Sequence, residues 1–403
     1  MNHTTSIPHN FLRRMALAAL AAMAMLTAQG QPFATGAASL AATAAPSSSA
    51  TTPPLAGNEK PWAWTGFVRP EGVNPIISPT QESVFHCPMS GRPIRWEESD
   101  TFNPAATIIN DRVVVLYRAE DNTHQGIGSR TSRIGYASSA DGLHFQRHGA
   151  PVLFPDATDE QAAQETPGGC EDPRVCMTSD GLYVMMYTQW NRSEARLGVA
   201  TSRDLVTWQK HGSPFATTCG GRFAHIFSKS ASIVTKMEGG RQVIAKINGK
   251  YWMYWGEQFI NVATSTDLIN WTPMLDADGE LLKVILPRKG YFDSMLTECG
   301  PPAIVTKHGI LLMYNGKNGS DGDPRFTTNA YCAGQILFDA KDPSRVKDRL
   351  DLPFFIPQDS FEKSGQYPAG TVFIEGLVPF HGDWYLYYGC ADSRVGVAVM
   401  KGN

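Results

Sequence analysis

Gly198-Val199-Ala200-Thr201-Ser202-Arg203-Asp204-Leu205-Val206-Thr207-Trp208 reads as a short strand ending in a small residue and Ser, then an Asp and an aromatic residue. The same unit stands upstream as Gly135-Tyr136-Ala137-Ser138-Ser139-Ala140-Asp141-Gly142-Leu143-His144-Phe145. It stands downstream as Val262-Ala263-Thr264-Ser265-Thr266-Asp267-Leu268-Ile269-Asn270-Trp271. The three aspartates, Asp141, Asp204 and Asp267, are 63 residues apart in both steps. A fixed period of this size marks stacked or radial supersecondary units. Such an Asp recurs from unit to unit, whereas a catalyst is needed once, so these three read as turn formers.

Five strand-like runs rich in aromatic and β-branched residues accompany the period: Val113 to Arg118, Leu182 to Tyr187, Tyr251 to Trp255, Ile310 to Tyr314 and Trp384 to Tyr388. Most follow turn signals such as Asn110-Asp111, Ser179-Asp180-Gly181, Asn248-Gly249, His308-Gly309 and His381-Gly382-Asp383. Five repeats of roughly 60 residues, each holding several short strands, predict an all-β fold, a five-bladed β-propeller. A β-sandwich with insertions is the rival, and the even spacing argues against it. In a propeller the first strand of each unit lines a common channel, so polar residues at the ends of these runs are the site candidates.

The chain has 403 residues, a net charge of −3 and 18% charged residues, with no basic run, which argues against nucleic-acid binding. Thirty-seven Gly and 27 Pro agree with a turn-rich β chain. Arg13 and Arg14 precede a short apolar run, Met15 to Leu26, and then Thr27-Ala28-Gln29. Residues 1–28 therefore read as a secretory signal, with an uncleaved membrane anchor as the alternative. Residues 29–58, rich in Ala, Ser, Thr and Pro, read as a flexible linker, and 59–403 as the propeller domain. The expected location is periplasmic or secreted, with no membrane span in the mature chain. Seven cysteines leave at least one unpaired and match no zinc spacing. Cys170 and Cys176 are near enough in sequence for a local pair, and buried free thiols are the other reading.

Gly169-Cys170-Glu171-Asp172-Pro173-Arg174 places an acid pair, a proline and an arginine just ahead of an apolar run. Pro173 biases Asp172 to an extended conformation and holds it stiffly. Carboxylates so held are common in carbohydrate-cleaving sites. Taken alone, the hexapeptide reads equally well as an Asp–Arg pair that stabilises a turn.

Together with Thr101-Phe102-Asn103-Pro104, Tyr117-Arg118-Ala119-Glu120-Asp121, Lys246-Ile247-Asn248-Gly249-Lys250-Tyr251 and Tyr387-Tyr388-Gly389-Cys390-Ala391-Asp392, this motif resembles glycoside hydrolase family 130 from about residue 100 onward. That family comprises β-mannoside phosphorylases and β-1,2-mannosidases on a five-bladed propeller. The resemblance implies that Asn103 and Arg118 hold a mannose and that Asp392 binds its hydroxyls. It implies that Asp172 is the catalytic acid, acting through the sugar's 3-hydroxyl. Arg174, in the same motif, and Lys229, a surviving phosphate-site cation, join the substrate-binding candidates.

The departures from the phosphorylase pattern carry more information. Gly256 stands where those enzymes place a phosphate-binding Arg, and Leu296 where they place a Lys. Phosphate needs such donors. Glu257 and Glu298 stand nearby instead and resemble the glutamate pair of the mannosidase branch. Carboxylates repel phosphate and can activate water. The implied reaction is therefore inverting hydrolysis of a β-mannoside, with Glu257 and Glu298 around the water and Asp172 as the relayed acid. The reverse division, with a glutamate as direct acid, stays open. A β-mannoside phosphorylase is the enzyme rival, and a non-catalytic glycan-binding propeller is the rival of another class. Glu375 is read as lining the channel, and Tyr254, Trp255 and Tyr388 as either sugar-stacking or core. The expected partner is a mannose-containing oligosaccharide. No cofactor or metal is called for.

Overall fold

The backbone of the chain is laid down as five antiparallel meanders. The computed structural model describes residues 59–124 and 126–402, so the expected signal and linker lie outside the described residues. The first meander is Asp100–Ile109, Arg112–Glu120 and Ser132–Ser139. The second is Gly169–Met177, Tyr183–Trp190 and Ala195–Ser202. The third is Ala231–Glu238, Lys250–Trp255 and Ile260–Ser265. In the fourth, the first strand is split into Leu296–Cys299 and Ala303–Thr306, followed by Gly309–Lys317 and Tyr331–Phe338. The fifth is Val372–Phe380, Asp383–Cys390 and Arg394–Met400. Short fourth strands flank the first four: Gln146–Arg147, Gln209–Gly212, Trp271–Pro273 and Val346–Arg349. The fifth receives Val68 and Ile77, which bridge Val399 and Val395. Among the described residues helix is confined to Ala162–Glu165 and two short 3-10 turns. The described residues are nearly all β, as composition and period predict.

The five aromatic-rich runs are the middle strands, and each alternates between two cores. Val113, Val115 and Tyr117 face one cluster with the fifth meander, while Val114 and Leu116 face another with the second. Val184 and Met186 pack with the third meander, and Met185 and Tyr187 with the first. Trp252 and Tyr254 face the fourth meander, and Met253 and Trp255 the second. Leu311 and Met313 join the fifth meander, whose Tyr385 and Tyr387 return to the first. Period-2 side-chain direction thus turns each sheet into a wall with two buried faces. The succession of cores ends on the meander where it began.

A second repeat locks these walls. Tyr117, Tyr187, Tyr314 and Tyr388 pair directly across the ladder with Gly135, Gly198, Gly334 and Gly396. Each ring covers its glycine so closely that an added Cβ would come within 2.4 to 2.7 Å of it. Each hydroxyl then donates to a fully buried carboxylate: Glu97 at 2.7 Å, Glu165 at 2.7 Å, Asp293 at 2.5 Å and Glu362 at 2.8 Å. A cation on the outer edge pairs with each carboxylate, namely Arg147, Lys210, Arg349 and Arg69. Burial, followed by the neighbouring carboxylate, pushes the four hydroxyl pKa values up, which keeps them as donors.

The repeated aspartates close turns, as their periodicity implies. In each copy the Ser two residues earlier donates to Oδ1, and so do the backbone N–H groups two and three residues later. All seven cysteines are free. Cys170 and Cys176 lie in different cores, on opposite faces of one bulged strand, so no local pair forms.

The Tyr–Gly lock gives a stability prediction. Gly334→Ala forces a methyl into the Tyr314 ring and destabilises by about 1–3 kcal/mol. Tyr314→Phe removes a donor from buried Asp293 and costs about 1–3 kcal/mol. Chemical denaturation of both variants checks this, with a surface Gly→Ala change at Gly149, which has open space, as the neutral reference.

Candidate active site

The first strands of the first, second and fifth meanders pack against one another, and each is interrupted at a residue with polar chemistry. The ladder slips between Phe102 and Pro104, between Glu171 and Arg174, and between Ile374 and Gly376. The bulged-out residues are Asn103, Asp172 with Pro173, and Glu375. Asn103 and Asp172 adopt left-handed φ values of 47° and 48°. The bulges break the alternation that would bury these side chains in the cores and re-aim them. Pro173 was read from sequence as holding Asp172 extended. The structure corrects the conformation: the bulge puts Asp172 in the left-handed region.

Asp172 is the hub of the first cluster. Its Oδ1 accepts from Asn103 Nδ2 at 2.9 Å and from Arg118 Nη1 at 3.1 Å, and Lys229 Nζ lies 3.6 Å from Oδ2. Burial alone would favour the neutral acid, but Arg118, Lys229, Arg174 and the Asn103 bond outweigh it and hold the carboxyl well below its ordinary range. Arg118 also reaches Glu120 at 2.7 Å and Glu171 at 2.8 Å, and its guanidinium lies 4.7 Å from the Phe102 ring centre. Asp392, at φ 50°, follows the middle strand of the fifth meander. Burial pushes its carboxyl up to about 7 against the pull of Arg118.

The glutamates form the second cluster. Glu298 lies on Leu296–Cys299, 3% exposed, and accepts a hydrogen bond from the Ser230 hydroxyl. Glu257 is half-buried on the bend after Lys250–Trp255. Two backbone bonds tie its loop in place: Gly256 N–H donates to the Lys229 carbonyl at 3.0 Å, and Thr297 N–H to the Gln258 carbonyl at 3.1 Å. Burial and the Glu257 charge push the Glu298 carboxyl up to about 7, with Lys229 and Arg174 opposing. Lys229 joins the clusters. Burial would strip its proton, but Glu257, Asp172, Glu298 and Glu171 together push its pKa up, so it stays an ammonium.

Three sequence assignments are corrected. Tyr254 is core: its hydroxyl donates to the Pro343 carbonyl at 2.8 Å and its ring stacks on Phe338. Its place in the strand alternation turns it toward the fourth meander, away from the site. Arg174 and Glu375 are 1% and 0% exposed and lie beneath the site, without a sugar-facing surface. Arg174 spends its donors on the Asp172 carbonyl at 3.1 Å and the Cys299 carbonyl at 2.8 Å. Its guanidinium also sits 2.8 Å from Glu375, off the direction of a hydrogen bond, so both Glu375 oxygens lack a donor. Burial pushes the Glu375 carboxyl well up. Trp255 and Tyr388 are likewise core.

The motifs also passed over residues that the fold brings in. Lys317 sits across the ladder from Leu296 and Tyr331. Its ammonium lies 5.2 Å from the Tyr331 ring centre and 5.1 Å from that of Tyr367. Burial lowers its pKa, while Glu257, Asp392 and Glu298 oppose the shift. A charged residue closing an apolar strand, as Arg118 does, was the available signal for Lys317. Glu171 was visible beside Asp172, but no role was read for it from the sequence. Among the described residues no group of three His, Cys, Asp or Glu side chains could hold a metal ion.

A cluster of carboxylates arranged around Arg118, Lys229 and Lys317 suits acid–base chemistry on a neutral polyol. The comparisons agree with that chemistry. A family model described as beta-1,4-mannooligosaccharide phosphorylase, for glycoside hydrolase family 130, matches residues 74–402. The chain is 32% identical over 311 residues to the 1,2-beta-oligomannan phosphorylase of Thermoanaerobacter sp. (strain X514), covering 76% of this chain and 91% of that relative. It is 62% identical, with a TM-score of 0.83, to the crystal structure of a glycosyl hydrolase from Bacteroides ovatus, covering 84% of this chain and 95% of that one. A further structure comes from work finding that the family of mannoside phosphorylases contains glycoside hydrolases that target beta-1,2 mannosidic linkages in Candida mannan. It shares 59% identity and a TM-score of 0.84 over 85% of this chain and 95% of its own. With the match spanning most of the sequence and Asn103, Arg118, Asp172 and Asp392 gathered in one site, the chain belongs to glycoside hydrolase family 130, a family of enzymes that act on β-mannosidic linkages.

Proposed function

We propose that this protein is an exported, inverting hydrolase that removes β-1,2-linked mannose from oligosaccharides, built on a five-bladed β-propeller. The five meanders and their returning succession of cores support the propeller. The basic-then-apolar N-terminal segment supports export. Higher identity to the hydrolase structures than to the phosphorylase supports hydrolysis.

The observation that carries the reading is the backbone at Gly256. Its φ is +128°, and an added Cβ would come 2.3 Å from the Phe259 carbonyl oxygen. In this loop conformation no side chain fits where a phosphorylase needs its Arg. The next residue is Glu257, whose charge is felt by Glu298 and Lys229. An anion arriving there meets carboxylates, while a water molecule finds acceptors for its protons.

Glu257 and Glu298 flank the water. One carboxylate of the pair takes the proton of the attacking water. Asn103, Arg118 and Asp392 hold the mannose. Asp172 meets the sugar hydroxyl through which the leaving oxygen is protonated. A neutral sugar bound over Asp172 excludes water, and that added desolvation favours the neutral acid.

Phosphorolysis remains the second reading because two cations, Lys229 and Lys317, stay within the electrostatic reach of both glutamates. Product analysis on β-1,2-mannobiose decides between them. Hydrolysis yields free mannose whether or not phosphate is present; mannose 1-phosphate formed only with phosphate overturns the proposal. Glu257→Gln and Asp172→Asn are each expected to lower kcat by about 10²–10⁴-fold. A glycan-binding module would instead show no turnover and keep its ligand affinity in both variants. Gly256→Arg is expected to destabilise the fold and to leave phosphate use unchanged, which a thermal melt and the same product assay check. Lys229→Met removes a cation from Asp172 and Glu298, so both carboxyls should titrate at higher pH, as carboxyl-carbon NMR of the two side chains would report.

A further inference from the structure

Ser132 presents a valence problem. Its hydroxyl accepts from Arg118 Nε at 3.0 Å and has one proton to give. Yet it lies 3.3 Å from Glu120 Oε1 and also 3.3 Å from Glu171 Oε1. One proton makes one well-formed bond, so a second carboxylate gets at best the weak half of a three-centre contact. Arg118 Nη2 is shared between the same two oxygens, at 2.7 and 2.8 Å. Two ionised carboxylates packed around one hydroxyl would leave an oxygen–oxygen contact without a hydrogen, in a site closed to solvent. Glu120, Ser132 and Glu171 are 1%, 0% and 5% exposed.

If one carboxyl keeps its proton, every contact is satisfied. That carboxyl donates to the second lone pair of Ser132, and Ser132 donates to the other carboxylate. The two are not equivalent. Glu120 Oε2 accepts from Gln366 Nε2 at 3.1 Å, and Arg130 lies 3.6 Å away. Glu171 instead shares Arg118 with the ionised Asp172 next to it in sequence. We propose that Glu171 works as a neutral carboxylic acid, a positioning residue that completes the chain Glu171–Ser132–Glu120 and leaves Arg118 committed to Asp172.

The electrostatics agree. Burial, with Asp172 and Glu120 adding to it, pushes the Glu171 carboxyl up to about 7 against Arg118 and Lys229. These are the charged groups that face it from the first, second and third meanders. Were Glu171 to ionise, Arg118 would be divided among three carboxylates and its hold on Asp172, and through it on the sugar, would weaken. The role deepens the β-mannosidase reading given above and rests on it for the sugar. The protonation itself does not depend on the substrate.

The test uses Glu171→Gln, which keeps a donor and an acceptor but cannot ionise. An infrared pH titration of the ligand-free protein, wild type minus variant, should show a protonated-carboxyl band that disappears near pH 7. Absence of that band across pH 5 to 6 overturns the proposal whatever the substrate proves to be. On whichever β-mannoside wild type cleaves, the variant should keep kcat/KM within about threefold at pH 6, whereas Glu171→Ala, which breaks the chain, loses at least tenfold. A loss of a hundredfold or more in folded Glu171→Gln means that the carboxylate is the working form and also overturns it. If no mannoside is turned over by wild type, the function reading fails while the infrared result still decides the state of Glu171.

Discussion

A tyrosine laid over a glycine, with its hydroxyl on a buried carboxylate, is the contact on which the architecture depends. The glycine gives the ring room to lie flat across the ladder. The carboxylate gives the hydroxyl a partner at the edge of the sheet. A cation at the outer edge neutralises the carboxylate, so in four of the meanders the outer edge is tied to the centre. The third meander departs from this: Tyr254 pairs with Val262 and sends its hydroxyl to the Pro343 carbonyl. Buried charges cost desolvation, and their value here is that they fix one register for walls whose apolar faces are otherwise interchangeable.

Rigid walls let the inner strands be irregular. The bulges at Asn103, Asp172 and Glu375, and the Gly300-Pro301-Pro302 break after Cys299, interrupt the ladders where meanders converge. An unpaired inner strand is a liability in a sheet edge exposed to water, but here neighbouring strands cover it. The freed backbone turns short side chains toward one another instead of into the cores. Arg174 and Glu375 carry the same logic one layer down: a guanidinium that holds the Asp172 and Cys299 carbonyls sets the positions of Asp172 and Glu298 from beneath.

The site's electrostatics follow from having more buried acids than buried bases. Arg118 and Lys229 keep their charges because several carboxylates face each of them. The acids must then differ among themselves. Asp172, facing Arg118, Lys229 and Asn103, stays ionised; Glu171, Glu298 and Asp392 are pushed toward neutrality. Unequal proton affinity among similar groups is what a general acid–base reaction requires.

The amino-acid sequence alone determined the β class, the number of repeats, the turn role of Asp141, Asp204 and Asp267, and the candidacy of Asn103, Asp172, Arg118, Glu257, Glu298 and Asp392. The class, the repeats and the turns rest on local pattern, a period and turn dipeptides; the candidacies rest on the resemblance of their motifs to glycoside hydrolase family 130. Only the tertiary structure decided which of these side chains meet. Tyr254 and Glu375 differ from true site residues by which face of a strand they occupy or how deep they lie, and Lys317 enters through a cross-strand pairing that sequence does not record. The protonation of Glu171 is still further from the sequence. It depends on Arg118 and Glu120 from one strand and Glu171 from another converging on the Ser132 hydroxyl, and only a closed fold fixes such a convergence.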